Sequence, residues 1–302
     1  MGDPAGIGPE VIYKTLIRRD IYKFCQPVVI GSIGLAKKLG FDFRKLPCRL
    51  CDIAGDAASG VRAGKESATS GEASYRYIIK AVELVKSGGA DCIATAPISK
   101  AALQAAGHDF AGHTELLAAL TGTGNFAMLM SSGKMNVVMA TRHLPVAEVS
   151  RALTAVNIFK TAALASDFLK RAWKLRSPRI AVLALNPHAG EAGHIGTEEL
   201  KIINPAVKKL VLKGYKAAGP LPADSGWQKM NDGKYDLLVA MYHDQAMIGF
   251  KIISPESLVN VTLGLPFLRT SPGHGTAFDI AGKNLADPAP MKESIIFAAK
   301  YC

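Results

Sequence analysis

YDLLVAMYHDQ, residues 235–245, is an apolar run of a strand's length that delivers a histidine, an aspartate and a glutamine at its end. A short continuous apolar run bounded by polar residues is the pattern of a strand buried on both faces. The arrangement recurs in ADCIATAPISK (90–100), NVVMATRHLP (136–145) and RIAVLALNPHAGEAGH (179–194). Helical patterns lie between the runs. LAKKLG (35–40) reads as a short helix stopped by Gly40. SGEASYRYIIKAVELVKSGG (70–89) reads as a longer one, with Thr69 and Glu72 as its capping box and Gly88–Gly89 as its stop. Residues 151–175 and EELKIINPAVKKLVLKG (198–214) read as two more. Strands alternating with helices specify an α/β fold, and ligands in such folds bind at the carboxyl ends of strands. The four polar strand-end loops therefore point to one shared cleft.

The rest of the chain fits this frame. Of 302 residues, 49% are hydrophobic and 20% charged, enough apolar side chain for one large core or two lobes. No apolar run reaches the ~18–20 residues a membrane span needs, and no signal peptide is expected. The formal net charge is +11, but the lysines and arginines are dispersed with few interleaved aromatics. That favours a basic cleft for small anions over a nucleic-acid surface. Five cysteines at irregular spacing make no disulfide framework, and Cys48-x-x-Cys51 stands alone without the second pair of a zinc ribbon. A reducing cytoplasm is the expected compartment.

Three histidines, His143, His188 and His243, sit in equivalent strand-end loops. A loop histidine alone is commonly a surface residue. Three at equivalent places also fit a divalent ion with open positions, which would polarise a substrate oxygen. His113, in GHTELLAAL, and Thr114 either cap a helix or meet an anion at its start. Lys251, Asn260 and Arg269 read either as solvated surface or as partners for a phosphate or carboxylate, Asn260 lying within the apolar VNVTLGLP. HGTAFDIAGKNLADP (274–288) reads as a turn leading to a short helix, with the flavour of a ribose- or adenine-binding loop. Neither G-x-G-x-x-G after a strand nor G-x-x-x-x-G-K-[ST] occurs.

Taken in order, MGDPAGIGPE, TAPISK, GHTE, NPHAGE, PADS, YHDQ, NVTLGLPFLRTS and HGTAFDIAG resemble the 4-hydroxythreonine-4-phosphate dehydrogenase family. Its members are enzymes of pyridoxal phosphate biosynthesis and their threonate- and erythronate-phosphate relatives. The resemblance implies a two-lobed α/β/α fold like that of isocitrate and isopropylmalate dehydrogenases, with the active site in the interdomain cleft. Residues 1–98 with 272–302 would form the cofactor lobe, and 99–271 the lobe of metal, substrate and dimer contacts. It implies NAD or NADP, and one divalent ion (Zn, Mg, Mn or Co) held by His143, His188 and His243. In an obligate homodimer His243, Lys251, Asn260 and Arg269 would reach the site from the partner chain. His113 and Thr114 match further substrate contacts. The implied reaction oxidises a phosphorylated 3-hydroxy acid and then releases carbon dioxide, with Asp224, Asp244 and Lys251 as candidate proton carriers. His274, Gly275, Thr276, Asp279 and Asn284 would meet the cofactor, Asp279 near the ribose.

The match has departures. Ala246 and Gly249 stand where the family has Gly and Pro, Arg142 where it often has Thr, and Pro272–Gly273 precede His274. These bear on substrate choice and leave three alternatives: a carboxylated cyclic dihydrodiol as substrate, a phosphate acyltransferase-like activity, or a catalytically silent relative. Relatives also carry a short apolar strand before the GDPAGIGPE turn. Without it, the Gly2–Gly8 turn is expected to lose its anchor and become mobile.

Overall fold

The computed structural model describes residues 1–53, 60–133, 135–253 and 257–302. In chain order the first half contains α1 (Gly8–Ile17), β1 (Val28–Gly31), α2 (Ile33–Lys38), β2 (Arg49–Asp52), α3 (Ala68–Lys86) and β3 (Cys92–Ala94). Next come α4 (Lys100–Ala105), α5 (His113–Thr121), β4 (Ala127–Ser132), β5 (Met135–Met139), α6 (Val146–Ala152) and α7 (Ala155–Ala172). The second half holds β6 (Arg179–Leu183), α8 (Asn204–Leu212), β7 (Lys216–Leu221), α9 (Ala223–Asn231) and β8 (Leu237–Ala240). It closes with α10 (His243–Ile253), β9 (Val259–Leu263), β10 (Leu268–Pro272) and α11 (Ala289–Tyr301). The α/β class read from the sequence is the class observed.

The chain divides into two compact units, Met1–Gly124 with Leu265–Cys302, and Asn125–Gly264. The sequence reading set the divisions at residues 98 and 272 instead. Helices α4 and α5 belong with the first unit because α4 lies along α3 and α5 also packs on α3. Leu116 and Leu117 of α5 share a core with Ile78 and Val82 of α3.

In the first unit β1 pairs with β2, and β10 with β3, both in parallel. Its larger core gathers Val11, Leu16, Ile33 and Phe43. A cavity of about 530 Å³ lies between Val28–Ile30 of β1 and Cys92–Thr95 of and beyond β3. At its edge the Met1 nitrogen donates to the Ile30 carbonyl at 2.8 Å. The Gly2–Gly8 turn does not lack an anchor. Asp3 N–H donates to Pro97 O (2.8 Å), Ile7 N–H to Thr276 O (2.9 Å) and Gly64 N–H to Ala5 O (2.8 Å), and the whole turn is buried.

The second unit is built on the strand order β9-β4-β5-β8-β6-β7. β4 is antiparallel to both β9 and β5, while β5, β8, β6 and β7 run parallel. Met128, Val137, Leu183 and Leu238 pack with Phe250 of α10 and Met230 of α9. The alternate residues Leu129, Val138, Val182 and Val239 face the other way, and α7 packs on β4, β5 and β8.

Several local expectations are corrected. Helix α3 starts earlier than expected, capped reciprocally by Ser67 and Ser70 in place of Thr69 and Glu72. The helix expected over 151–175 is two, because Thr154 takes an extended conformation and caps a new helix by accepting from Asn157 N–H. They meet at a 92° bend, and no single helix among the described residues is long and apolar enough to cross a membrane. YHDQ opens α10 instead of lying in a loop. The stretch 274–288 contains turns but no helix. Strands β2, β7, β9 and β10 were not anticipated.

Candidate functional site

The second unit places the carboxyl ends of β5, β8 and β6 side by side, since Met139 is level with Ala240 and Val182 with Val239. His143, His243 and His188 follow those three ends. Pairing continues beyond the strands: Ala140 N–H donates to Ala240 O, and Thr141 donates to Met241 O from its N–H (3.1 Å) and its hydroxyl (2.7 Å). This extension carries His143 and His243 together, with ring centroids 5.7 Å apart and planes at 46°.

His243 Nδ1 lies 2.7 Å from Asp244 Oδ1. A proton held there leaves Nε2 with the free lone pair, the arrangement in which a carboxylate orients an imidazole toward a ligand. Asp224 is exposed in the first turn of α9, where its carboxylate accepts from Ser225 N–H (2.7 Å). Lys251 is exposed on α10. Asn260, on β9 opposite Met130, has a buried Oδ1 with no hydrogen-bond partner.

His188 is exposed in a turn of unusual backbone. His188, Ala189, Gly190, Glu191 and Ala192 all have φ between 41° and 76°. Such left-handed geometry costs roughly 1–2 kcal/mol per non-glycine residue, so something must hold it. Two carboxylates do. Buried Glu199 accepts from Leu185 N–H (2.9 Å), Asn186 N–H (2.7 Å) and Asn186 Nδ2 (2.9 Å). Glu198 accepts from the same Nδ2 (2.8 Å) and from the Ser150 hydroxyl (2.6 Å). The Ser150 and Asn186 bonds, in that order, hold the Glu198 carboxyl down at about 2.

Gln245 ties the strand ends together. Its Oε1 accepts from Met241 N–H and its Nε2 donates to Ala184 O, both at 2.7 Å. Its own carbonyl accepts from Trp227 Nε1 (2.8 Å). The indole of Trp227 lies over Gly249, where a Cβ would meet ring atoms at 2.5–2.6 Å. That contact explains the glycine in place of the family's proline. Arg142, another departure, sets its guanidinium 5.0 Å from the centre of the Phe126 ring, a cation–π contact threonine could not make.

Imidazole nitrogens suit zinc better than magnesium or manganese, so among the expected ions the donor set fits zinc best. Among the described residues of one chain, no three His, Cys, Asp or Glu side chains converge closely enough to hold a metal. The structure brings His143 and His243 together, and shows no such contact for His188.

In the first unit Arg269 is 2% exposed on β10, its guanidinium donating to the Thr95 hydroxyl from Nε (3.2 Å) and Nη2 (2.6 Å). Burial lowers its pKa to about 9, against the opposing pull of Glu115. His113 opens α5, and Thr114 behind it is buried. The His113 Nε2 is sealed from solvent with no partner. Burial first, and the charge of Arg269 second, hold this ring neutral, well below the usual imidazole range.

The same unit joins the two glycine-rich stretches. Glu10 accepts from Ala286 N–H (2.7 Å) and Lys14 (2.8 Å), and Lys14 also donates to Asn284 O and Ala286 O, both at 2.9 Å. Thr276 is bound to Ile7 through its carbonyl. His274 Nδ1 lies 3.1 Å from Gly275 O, and its Nε2 is buried without a partner. Asp279, Asn284 and Gly275 are exposed. Behind the turn, Asp3 accepts from Ala5 N–H (2.8 Å) and the Ser70 hydroxyl (3.2 Å), while burial pushes its pKa up to about 6.

Sequence reading missed Glu199, Asn186, Gln245 and Thr95. Gln245 and Thr95 lay within quoted motifs but offered no titratable group. Glu199 lay in a stretch read only as a helix.

Residues 23–298 match the family model of the pyridoxal phosphate biosynthetic protein PdxA. The 4-hydroxythreonine-4-phosphate dehydrogenase of Desulforapulum autotrophicum is 41% identical, over 99% of this chain and 93% of its own. The D-threonate 4-phosphate dehydrogenase of Cupriavidus necator is also 41% identical, over 98% of this chain and 93% of its own. A crystal structure of 4-hydroxythreonine-4-phosphate dehydrogenase from Klebsiella pneumoniae, 38% identical, superposes with a TM-score of 0.88 over 99% of this chain and 96% of that one.

Proposed function

The chain belongs to the pyridoxal phosphate biosynthetic protein PdxA family, and on that premise we propose that it is an NAD(P)-dependent dehydrogenase of a phosphorylated 3-hydroxy acid. The substrate class is 4-phosphohydroxy-L-threonine or a 4-phosphothreonate, the classes named in its relatives. One observation carries the reading: His143 and His243, remote in sequence, meet at 5.7 Å on adjacent strand ends. The site works in a homodimer, in a reducing cytoplasm.

His143, His188 and His243, drawn from two copies of the chain, would hold a divalent ion between them. When bound, the ion supplies a positive charge that polarises the substrate hydroxyl and carboxylate oxygens. Asp244 orients His243 through Nδ1. Arg269 and Lys251 take the substrate's phosphate or carboxylate by charge-assisted hydrogen bonds. Asn260 Oδ1 and His113 Nε2, each buried and unpartnered, gain partners in the ligand's polar groups. His113, held neutral, accepts a hydroxyl hydrogen or donates to an anion without adding charge. The 274–287 loop, pinned to α1 by Glu10 and Lys14, receives the dinucleotide. A bound dinucleotide would supply the hydride acceptor for oxidation at the substrate's C3; Asp224, Asp244 or Lys251 would take the hydroxyl proton, and the 3-keto acid formed would then lose carbon dioxide.

The test is a substrate panel with NAD and NADP, following reduced-nicotinamide absorbance and carbon dioxide release with each phosphorylated acid and one carboxylated dihydrodiol. Metal-dependent turnover of a phosphorylated acid is expected. Turnover of the dihydrodiol alone, or none of any substrate, would sink the proposal.

A further inference from the structure

We infer that Glu199, acting with Asn186, is a positioning residue for His188. The inference rests on the metal-site reading above, and it extends that site to a carboxylate no motif singled out. Three features of the geometry support it. First, Glu199 is 2% exposed yet fully engaged as an acceptor. Its Oε1 takes the backbone N–H groups of Leu185 and Asn186, the last two residues before Pro187–His188, and its Oε2 takes the Asn186 amide. Second, the turn sits directly on that carboxylate: a Cβ at Gly190 would lie 2.7 Å from Glu199 Oε2. Third, the turn is left-handed through five residues, four of them not glycine, so its entry must be held from outside. The path of His188 is therefore fixed from its amino-terminal side by the Glu199 bonds.

The chemistry requires a carboxylate. Asn186 points one amide nitrogen at two acceptors, Glu199 Oε2 and Glu198 Oε2. A glutamine at 199 would still accept from the two backbone groups but would set an NH₂ against that same amide nitrogen. Turning the Asn186 amide to relieve the clash would bring its oxygen against Glu198. Either way the turn is released while the volume and the helix are kept. A buried carboxylate is expensive, and this one satisfies donors that all lie at the root of the His188 turn.

The experiment compares the full chain with Glu199→Gln, His188→Ala and Leu129→Ala, a buried residue of β4 outside these contacts that controls for lost stability. Amide hydrogen exchange across 186–196 and the affinity for Zn²⁺ alone, by chelator competition, are the two readouts. Glu199→Gln should speed exchange in that segment selectively and weaken Zn²⁺ binding roughly 10–100-fold, the scale on which groups behind metal ligands act. Leu129→Ala should do neither at an equal loss of melting temperature. Unchanged exchange in Glu199→Gln, or an equal loss of Zn²⁺ affinity in Leu129→Ala, would overturn the inference. If His188→Ala binds Zn²⁺ as tightly as the parent, the metal reading itself fails, and exchange in the turn alone decides whether Glu199 holds His188.

Discussion

His113 and Asp3 should oppose each other in the acid stability of the first unit. The His113 ring stays neutral in the fold well below its ordinary 6.5. As pH falls below 6.5, only the unfolded chain gains that proton, so stability drops by about 1.4 kcal/mol per pH unit until the folded ring also titrates. Asp3 works the other way. Burial raises its carboxyl from 3.8 to about 6 in the fold. Between 6 and 3.8 the folded chain holds a proton that the unfolded chain lacks, so stability rises on acidification, by about 3 kcal/mol in all. Below pH 6 the two contributions oppose each other for as long as the folded ring stays neutral. His113→Asn removes one of them, and its stability relative to the parent should climb on acidification below pH 6, by about 1.4 kcal/mol for each pH unit over which the folded ring stays neutral. Asp3→Asn, isosteric and still able to accept from Ala5 N–H, should lose a similar amount. The assay is urea unfolding at fixed ionic strength, read as the difference between variant and parent at each pH. Both tryptophans, Trp173 and Trp227, lie in the other unit, so the probe must be far-ultraviolet dichroism or hydrogen exchange in α5. A difference for His113→Asn that stays flat from pH 6 to pH 4 would refute the reasoning, because the ring would then titrate alike folded and unfolded.

Gly249→Ala drives a methyl into the Trp227 indole, and should cost about 1–3 kcal/mol in urea unfolding followed by that tryptophan's fluorescence; a neutral result would mean that the indole moves freely. Arg269→Lys keeps a cation but loses the fork. It should raise KM for phosphorylated substrates roughly 10–100-fold, the worth of one charge-assisted hydrogen bond at about 1.5–3 kcal/mol, and an unchanged KM would place Arg269 outside the substrate site. Asp279, exposed on the 274–287 loop, should favour NAD over NADP in kcat/KM by repelling a 2′-phosphate; a clear NADP preference would remove it from the ribose site.

How far the sequence could be read follows from what each residue had to signal. β5, β6 and β8 were legible because runs such as LLVA and RIAVL are apolar without interruption. β9 and β10 were not, because Asn260 and Arg269 break the apolar pattern, and they do so for the very reason that makes them candidates for a ligand. β2 escaped because Arg49–Asp52 is mostly exposed and short. The helix expected over 151–175 failed at Thr154, whose capping geometry outweighs the helical periodicity on either side. Among site residues, the histidines were visible because imidazoles in strand-end loops are uncommon. Glu199 was invisible because a glutamate next to another glutamate reads as solvated, and only the fold shows that its neighbours are backbone donors.

Gln245 has a consequence for how substrate preference can change within such a scaffold. One side-chain amide fixes the end of β8 to the end of β6, using backbone groups alone at both contacts. The distance between the strand ends from which His243 and His188 emerge is therefore indifferent to the side chains of the residues that follow. Exposed residues of α10 such as Lys251 and Ile252 can change without touching these two contacts. The exposed side of α10 can therefore vary in a lineage while the spacing of its histidine-bearing strands is inherited intact.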